Sequence, residues 1–196
     1  MHMPVRKTFL GLDIVGFTRS DRTDSACLTM RRVLYGALAA GLRKAEIPPA
    51  ACEMLDRGDG IMSLLDAVVE PGLVVDTVVP ALAAALHDHN ATAARQEQIQ
   101  LRAVLHTGVT LQDERGHVGR DISHAFRLLD APELRLALAG GRGELVLAVT
   151  DATWLRLGPD QRRLPLGPFR RTQLSTKEAA VQAWVAIVSP GPLPAG

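Results

Sequence analysis

Two aspartates stand where packing does not explain them. Asp13 interrupts the apolar run Phe9-Leu10-Gly11-Leu12-Asp13-Ile14-Val15, and burying a lone carboxylate in such a run costs on the order of several kcal/mol unless something compensates it. Asp59 lies in Arg57-Gly58-Asp59-Gly60, between two strand-like segments, where an adjacent strand could carry it to the end of the strand bearing Asp13. Taken alone, Asp59-Gly60 reads as an ordinary hairpin turn. Together, the two carboxylates repel unless a proton or a metal intervenes. A hard divalent cation answers that need: magnesium is held by one or two carboxylates plus substrate phosphates, and a pair of such ions clamps an in-line displacement at phosphorus. Directly after Asp13, the turn Gly16-Phe17-Thr18 offers consecutive backbone N–H groups of the kind that cradle phosphate.

The elements that must position these groups follow from hydrophobic periodicity. Residues 8–15 read as a buried strand ended by Gly16. Asp24 or Ser25 could cap a helix with apolar positions Leu28, Met30, Val33, Leu34, Ala37, Leu38 and Leu42, ending near Lys44 before Pro48 and Pro49. Residues 52–56 and 61–65 form a hairpin, and residues 74–94 a second long helix in which Pro80 would kink or start the element. Residues 100–107 make a strand that stops at Gly108, residues 121–138 a third helix divided by Pro132, and residues 145–149 a strand. A short helix capped by Thr150 or Asp151 surrounds Trp154, and residues 183–188 close the order as a last strand. This succession favours an α+β sandwich, a sheet with helices on one face, in a domain spanning 5–188 with a flexible tail at 189–196.

Composition narrows the class further. The 196 residues are 47% hydrophobic with a net charge of +1, which argues against a disordered chain or a general nucleic-acid surface. Cys27 and Cys52 lie in apolar stretches without metal-ligand spacing, as buried thiols do in a reducing compartment. No leader-like or membrane-spanning apolar run is present, so a cytoplasmic location is expected.

The segments LDIVGFTRS, GDGIM, LRAVLHTG and GRDISHAFRLLDAPELR occur in an order and spacing that resemble the catalytic domains of class III nucleotide cyclases, the adenylate and guanylate cyclase family. FRRTQLSTKEAAVQAWVAI is similar to that family's last hairpin. The resemblance implies a ferredoxin-like core with a mostly antiparallel sheet, working as a head-to-tail homodimer with active sites in the interface. It implies that Asp13 and Asp59 hold two divalent ions, Mg²⁺ or Mn²⁺, with the backbone carbonyl of Ile14 as a further ligand. It also implies that Gly16, Phe17 and Thr18 contact phosphate, and that Arg127 from the partner subunit stabilises charge on the phosphates of a nucleoside triphosphate. Neither a nucleic acid nor a membrane is implied as a partner.

The chain departs from the family at three positions. The asparagine four residues before that arginine is Ser123, a shorter hydrogen-bond donor. The purine-selecting lysine falls on Leu55, and its partner aspartate falls on Gly116. The metal carboxylates and the arginine are kept while both base readers are lost, which suggests a cyclase with a non-standard base choice. Bacterial pyrimidine cyclases, which also lack the purine pair, are a relevant subgroup. Arg57, Arg115, Arg120 and His117 lie near the base-reading positions. The alternative is a weak or inactive cyclase-homology domain that regulates by binding a nucleotide or a protein. A diguanylate cyclase would need a GGDEF-type turn where this chain has RGDGI.

Other polar groups invite blander explanations. His87-Asp88-His89 suits the negative end of a helix dipole, His106 a structural role at a strand end, and Arg162, Arg163, Arg170 and Arg171 a solvated basic face.

Overall fold

A computed structural model of the chain describes residues 3–140, 143–158 and 168–189. The expected tail beyond residue 189, together with Arg162 and Arg163, lies outside the described residues. The sheet has eight strands: β1 (Val5–Ile14), β2 (Cys52–Asp56), β3 (Gly60–Asp66), β4 (Leu101–Asp113), β5 (Gly116–Val118), β6 (Leu145–Thr150), β7 (Arg170–Ser175) and β8 (Ala180–Val188). Their order is β2-β3-β1-β4-β6-β8-β7, with β5 paired to β4. Among the described residues, only the β4–β6 pairing is parallel. The β2-β3-β1-β4 portion, with helices between β1 and β2 and between β3 and β4, is the ferredoxin-like arrangement that the resemblance implies.

Helices cover both faces of this sheet, not the one face expected. On one face, α1 (Asp24–Lys44) and the helical stretch made of α2 (Pro71–Leu73), a π turn and α3 (Val79–Thr92) pack Met30, Leu34, Leu38, Leu82 and Leu86 against Leu10, Leu12, Ile14 and Leu105. On the opposite face, α4 (Arg120–Leu129) and α5 (Pro132–Gly140) set Ile122, Ala125, Leu128, Leu134 and Leu138 against Phe9, Met62, Val104 and Val146. Central strands buried on both sides lose the apolar–polar alternation of a one-sided sheet, and every residue of β6 is buried. The short helix α6 (Asp151–Trp154) follows β6 directly.

Several boundaries differ from the expected ones for identifiable reasons. Helix α1 is capped by Thr23, whose hydroxyl accepts from the Ala26 amide at 3.2 Å, so neither Asp24 nor Ser25 is the cap. Leu28 of that helix points to solvent and is 62% exposed. Ahead of Pro80 the helix switches to a π turn, Val74–Val78, in which the Val79 amide reaches the Val74 carbonyl; helical structure thus continues through the segment where the proline removes a donor. Strand β4 does not stop at Gly108 but runs on to Asp113, and a Cβ at that glycine would stand 2.4 Å from Asp121. The glycine makes room for Asp121, whose carboxylate accepts from the Val109 amide at 2.6 Å. Pro132 does separate two helices, as expected. Among the described residues, no helix is long and apolar enough to cross a membrane.

Candidate functional site

Asp13 is the penultimate residue of β1, paired with Gly60 on β3 and with Arg102 on β4. It shares a face with Phe9 and Gly11, the face covered by α4. At Gly11 a Cβ would stand 2.8 Å from Leu129, so the glycine lets α4 lie close to β1. The residue after Leu129 is Asp130, which lines the same cavity of about 170 Å³ as Asp13 and Asp59. The structure therefore brings the two sequence-predicted carboxylates together and adds a third.

The β2–β3 connection is held from both sides. Arg31 of α1 pairs with Asp56 and donates to the Gly58 carbonyl, while Asp56 accepts from the Gly58 amide at 2.7 Å. That guanidinium holds the Asp56 carboxyl below the usual carboxylate range. The Asp59 carbonyl accepts from the Ile14 amide at 3.0 Å, which stitches the turn to the end of β1. Across the cavity, the Arg57 guanidinium stacks over the Phe126 ring at 4.5 Å. The left-handed residue of this turn is Gly58, with φ of 80°, rather than Gly60; the latter is needed for close approach to β1.

Arg102 forms an ion pair with Asp13, its Nε 2.9 Å from Oδ2 and its Nη2 on the same oxygen. Both side chains are largely buried, at 7% and 15% exposure. Burial pushes the Asp13 carboxyl up, the hydrogen bond and charge of Arg102 pull it down, and Asp59 and Asp130 push it up further. A carboxyl disfavoured by burial and by neighbouring carboxylates is one that an added cation would relieve. Among the described residues, no three His, Cys, Asp or Glu side chains form a ready-made metal cage. Magnesium sites do not require one, since one or two carboxylates are completed by waters and phosphate oxygens. The donor set of Asp13 and Asp59 thus fits a hard divalent ion.

Beyond β1 the chain turns at Gly16, whose φ is 62°. Arg22 fastens this turn by donating to the Gly16 carbonyl at 2.9 Å and to the Gln98 carbonyl at 2.9 Å. The Phe17 carbonyl accepts from the Cys27 thiol at 3.5 Å.

Arg127 and Ser123 lie one helical turn apart on α4 and line a different cavity, of about 790 Å³, with Arg120, His124 and Glu178. Arg127 pairs with Glu178 at 2.6 Å, both side chains half-exposed. Within one chain, the carboxylates and the arginine are therefore divided between two cavities. Leu55 is half-buried against the apolar cluster under α4 and presents no polar atom. Gly116 begins β5 with φ of 130°. Next to these positions, His117 meets Glu53 at 2.8 Å, which ties β5 to β2.

The remaining candidates find separate partners. His87 contacts Glu144 at 3.1 Å and His89 the Glu97 carbonyl at 2.9 Å, so the two do not converge on one ligand. His106 is buried with Thr150 Oγ1 2.9 Å from its Nδ1, and burial, then His124, pushes it down to about 4. Arg171 pairs with Asp151 at 3.3 Å. Sequence reasoning missed Arg102, Phe126 and Asp130. Arg102 carried the same signal as Asp13, a charge inside the apolar strand LRAVLHTG.

A doubly covered sheet with this strand order is the fold of the class III nucleotide cyclase catalytic domains. Solved structures bear this out. An adenylate/guanylate cyclase/hydrolase from Silicibacter pomeroyi superposes with a TM-score of 0.68 at 16% identity, over 95% of this chain and 99% of that one. The guanylyl cyclase Cya2 gives 0.68 at 16% identity, over 98% and 96%. The guanylate cyclase domain of RhGC from Catenaria anguillulae, solved in complex with GTP, gives 0.60 at 15% identity, over 95% and 99%. At these identities the likeness is one of fold. No family model matches the chain, and no curated protein matches its sequence.

Proposed function

We propose that the protein is a nucleotide cyclase that converts a nucleoside triphosphate to a 3′,5′-cyclic nucleotide and pyrophosphate. The observation that carries this reading is the meeting of Asp13 and Asp59 in one cavity, with the Gly16-Phe17-Thr18 turn following Asp13 closely in the chain. In this reading Asp13, Asp59 and the Ile14 carbonyl hold two Mg²⁺ or Mn²⁺ ions. Such ions supply activation of the 3′ hydroxyl and neutralisation of the triphosphate. The amides of Gly16, Phe17 and Thr18 orient the phosphates, so that the hydroxyl oxygen stands in line with the α–β bond. The new bond forms between O3′ and the α-phosphorus, the α–β anhydride bond breaks, and the hydroxyl proton leaves to solvent.

Arg127 stabilises negative charge developing on the transferred phosphorus and the leaving group, with Ser123 as a second donor. That Arg127 and the carboxylates line separate cavities in one chain supports a working site composed of two copies arranged head to tail. Leu55 and Gly116 provide no purine-reading side chain, which supports a non-standard base choice. The composite site is tested by mixing. Asp59→Ala and Arg127→Ala proteins, each inactive alone, regain activity when combined, because mixed dimers carry one intact site; no recovery in mixed dimers contradicts the shared site.

A second reading, a regulator that binds nucleotide without turnover, draws on the engagement of Asp13 by Arg102 and on the apolar packing of Leu55. Nucleotide binding without any cyclic product distinguishes it.

A further inference from the structure

Arg102 is a strongly basic group set directly across the sheet from Asp13, a proposed metal ligand, and its surroundings are unusual. Its side chain is 7% exposed. Two of its nitrogens converge on a single oxygen, Asp13 Oδ2, while its Nη1 is buried with no hydrogen-bond partner. A guanidinium cannot shed its proton to escape this environment, and a buried donor left unpaired is costly. Packing alone does not reward that arrangement, since a neutral chain of similar size would fill the space beside Val146 and Val104 without it. What Arg102 does supply is positive charge against Asp13, which lines one cavity with Asp59 and Asp130. The other nearby arginine, Arg57, is spent on the face of Phe126.

We infer that Arg102 is the resident counter-ion of the carboxylate cavity: it holds Asp13 while no metal is bound and competes with the divalent ion for that carboxylate, thereby setting the metal affinity of the site. The inference rests on the reading of Asp13 and Asp59 as metal ligands. A cation arriving at Asp13 must approach a fixed positive charge and share or displace its partner. Occupancy would then require a high metal concentration or the simultaneous arrival of a triphosphate, whose negative charge offsets the repulsion.

The test is Mn²⁺ binding by calorimetry, in the absence of nucleotide, to wild-type, Arg102→Met, Arg102→Lys and Asp59→Ala proteins. Removing the charge in Arg102→Met tightens Mn²⁺ binding by about tenfold or more, as the loss of one like charge at close range predicts. Arg102→Lys, which keeps the charge but not the fork, stays within about threefold of wild type. A purely structural arginine would give the opposite pattern, with Mn²⁺ binding weakened in Arg102→Met, and that result or an unchanged affinity overturns the inference. If Arg102→Met does not fold alone, Mn²⁺ must recover its cooperative thermal transition, and failure to do so also overturns it. Binding no tighter than that of Asp59→Ala in both wild type and Arg102→Met would remove the metal site itself and this inference with it. Wild-type binding that Asp59→Ala abolishes but Arg102→Met leaves unchanged removes this inference alone.

Discussion

Gly60 lies beneath the carbonyl of Leu12 so closely that a Cβ at Gly60 would stand 2.2 Å from that oxygen. The contact explains how a hairpin turn comes to serve β1. Only a residue without a side chain lets β3 enter the sheet there, and the residue before it, Asp59, is thereby held beside Asp13. Gly60→Ala must push the turn away from β1. Overpacking of this kind costs about 1–3 kcal/mol, and here it also separates the two carboxylates. Urea unfolding should show that loss, and Mn²⁺ affinity should fall with it. Gly58→Ala is the contrast: its φ of 80° strains an alanine, but nothing lies within 4 Å. It should cost about 1 kcal/mol and leave metal binding unchanged.

Ser123 faces the same cavity as Arg127, one turn earlier on α4. An asparagine there would reach further with a second polar donor. Where removal of one transition-state donor costs on the order of 10²–10³ in rate, Ser123→Asn is expected to raise kcat by about tenfold or more with little change in KM. Ser123→Ala should lower kcat. Steady-state kinetics on the preferred triphosphate read both, and a Ser123→Ala enzyme with wild-type kcat would remove the serine from the reaction.

His106 links stability to acid. Its neutral ring is packed against Phe9 and His124 with Thr150 on Nδ1, and burial lowers its pKa from 6.5 to about 4. Between those values the unfolded chain binds a proton that the folded one refuses. Stability from this group is therefore complete above pH 6.5 and falls as the pH drops toward 4. Asp13, whose carboxyl is raised, contributes with the opposite sign, so the comparison must be between proteins. His106→Asn, which keeps a polar group near Thr150, should flatten the fall in Tm between pH 6.5 and pH 4.5 relative to wild type; parallel Tm profiles would contradict the assignment.

Much of this architecture was legible in the sequence because its signals are local. The β2–β3 hairpin turns at Gly58 and Gly60, α1 ends at Lys44 before two prolines, and Pro132 divides α4 from α5. The carboxylate of Asp13 announced itself by interrupting an apolar strand. What escaped depends on pairing across the sheet. Arg102 becomes a partner of Asp13 only through the β1–β4 register, and Asp130 reaches the cavity only because Gly11 lets α4 settle on β1. Gly108 looked like a strand end because its purpose, to admit Asp121, lies in another element. Helices on both faces were hidden in the continuous apolar runs of β4 and β6, which a one-sided sheet would have broken with polar residues.

Cyclisation of a nucleotide at the Asp13 and Asp59 cavity can be measured outright. The direct measurement is to incubate the purified protein separately with ATP, GTP, CTP and UTP in the presence of Mn²⁺ and to search for product by mass spectrometry, beside an Asp59→Ala control. The account predicts one or more 3′,5′-cyclic nucleotides with matching pyrophosphate, absent from the control, and the product names the base. A folded, dimeric protein that yields no cyclic nucleotide from any of them, or an Asp59→Ala protein that yields as much as wild type, would contradict it.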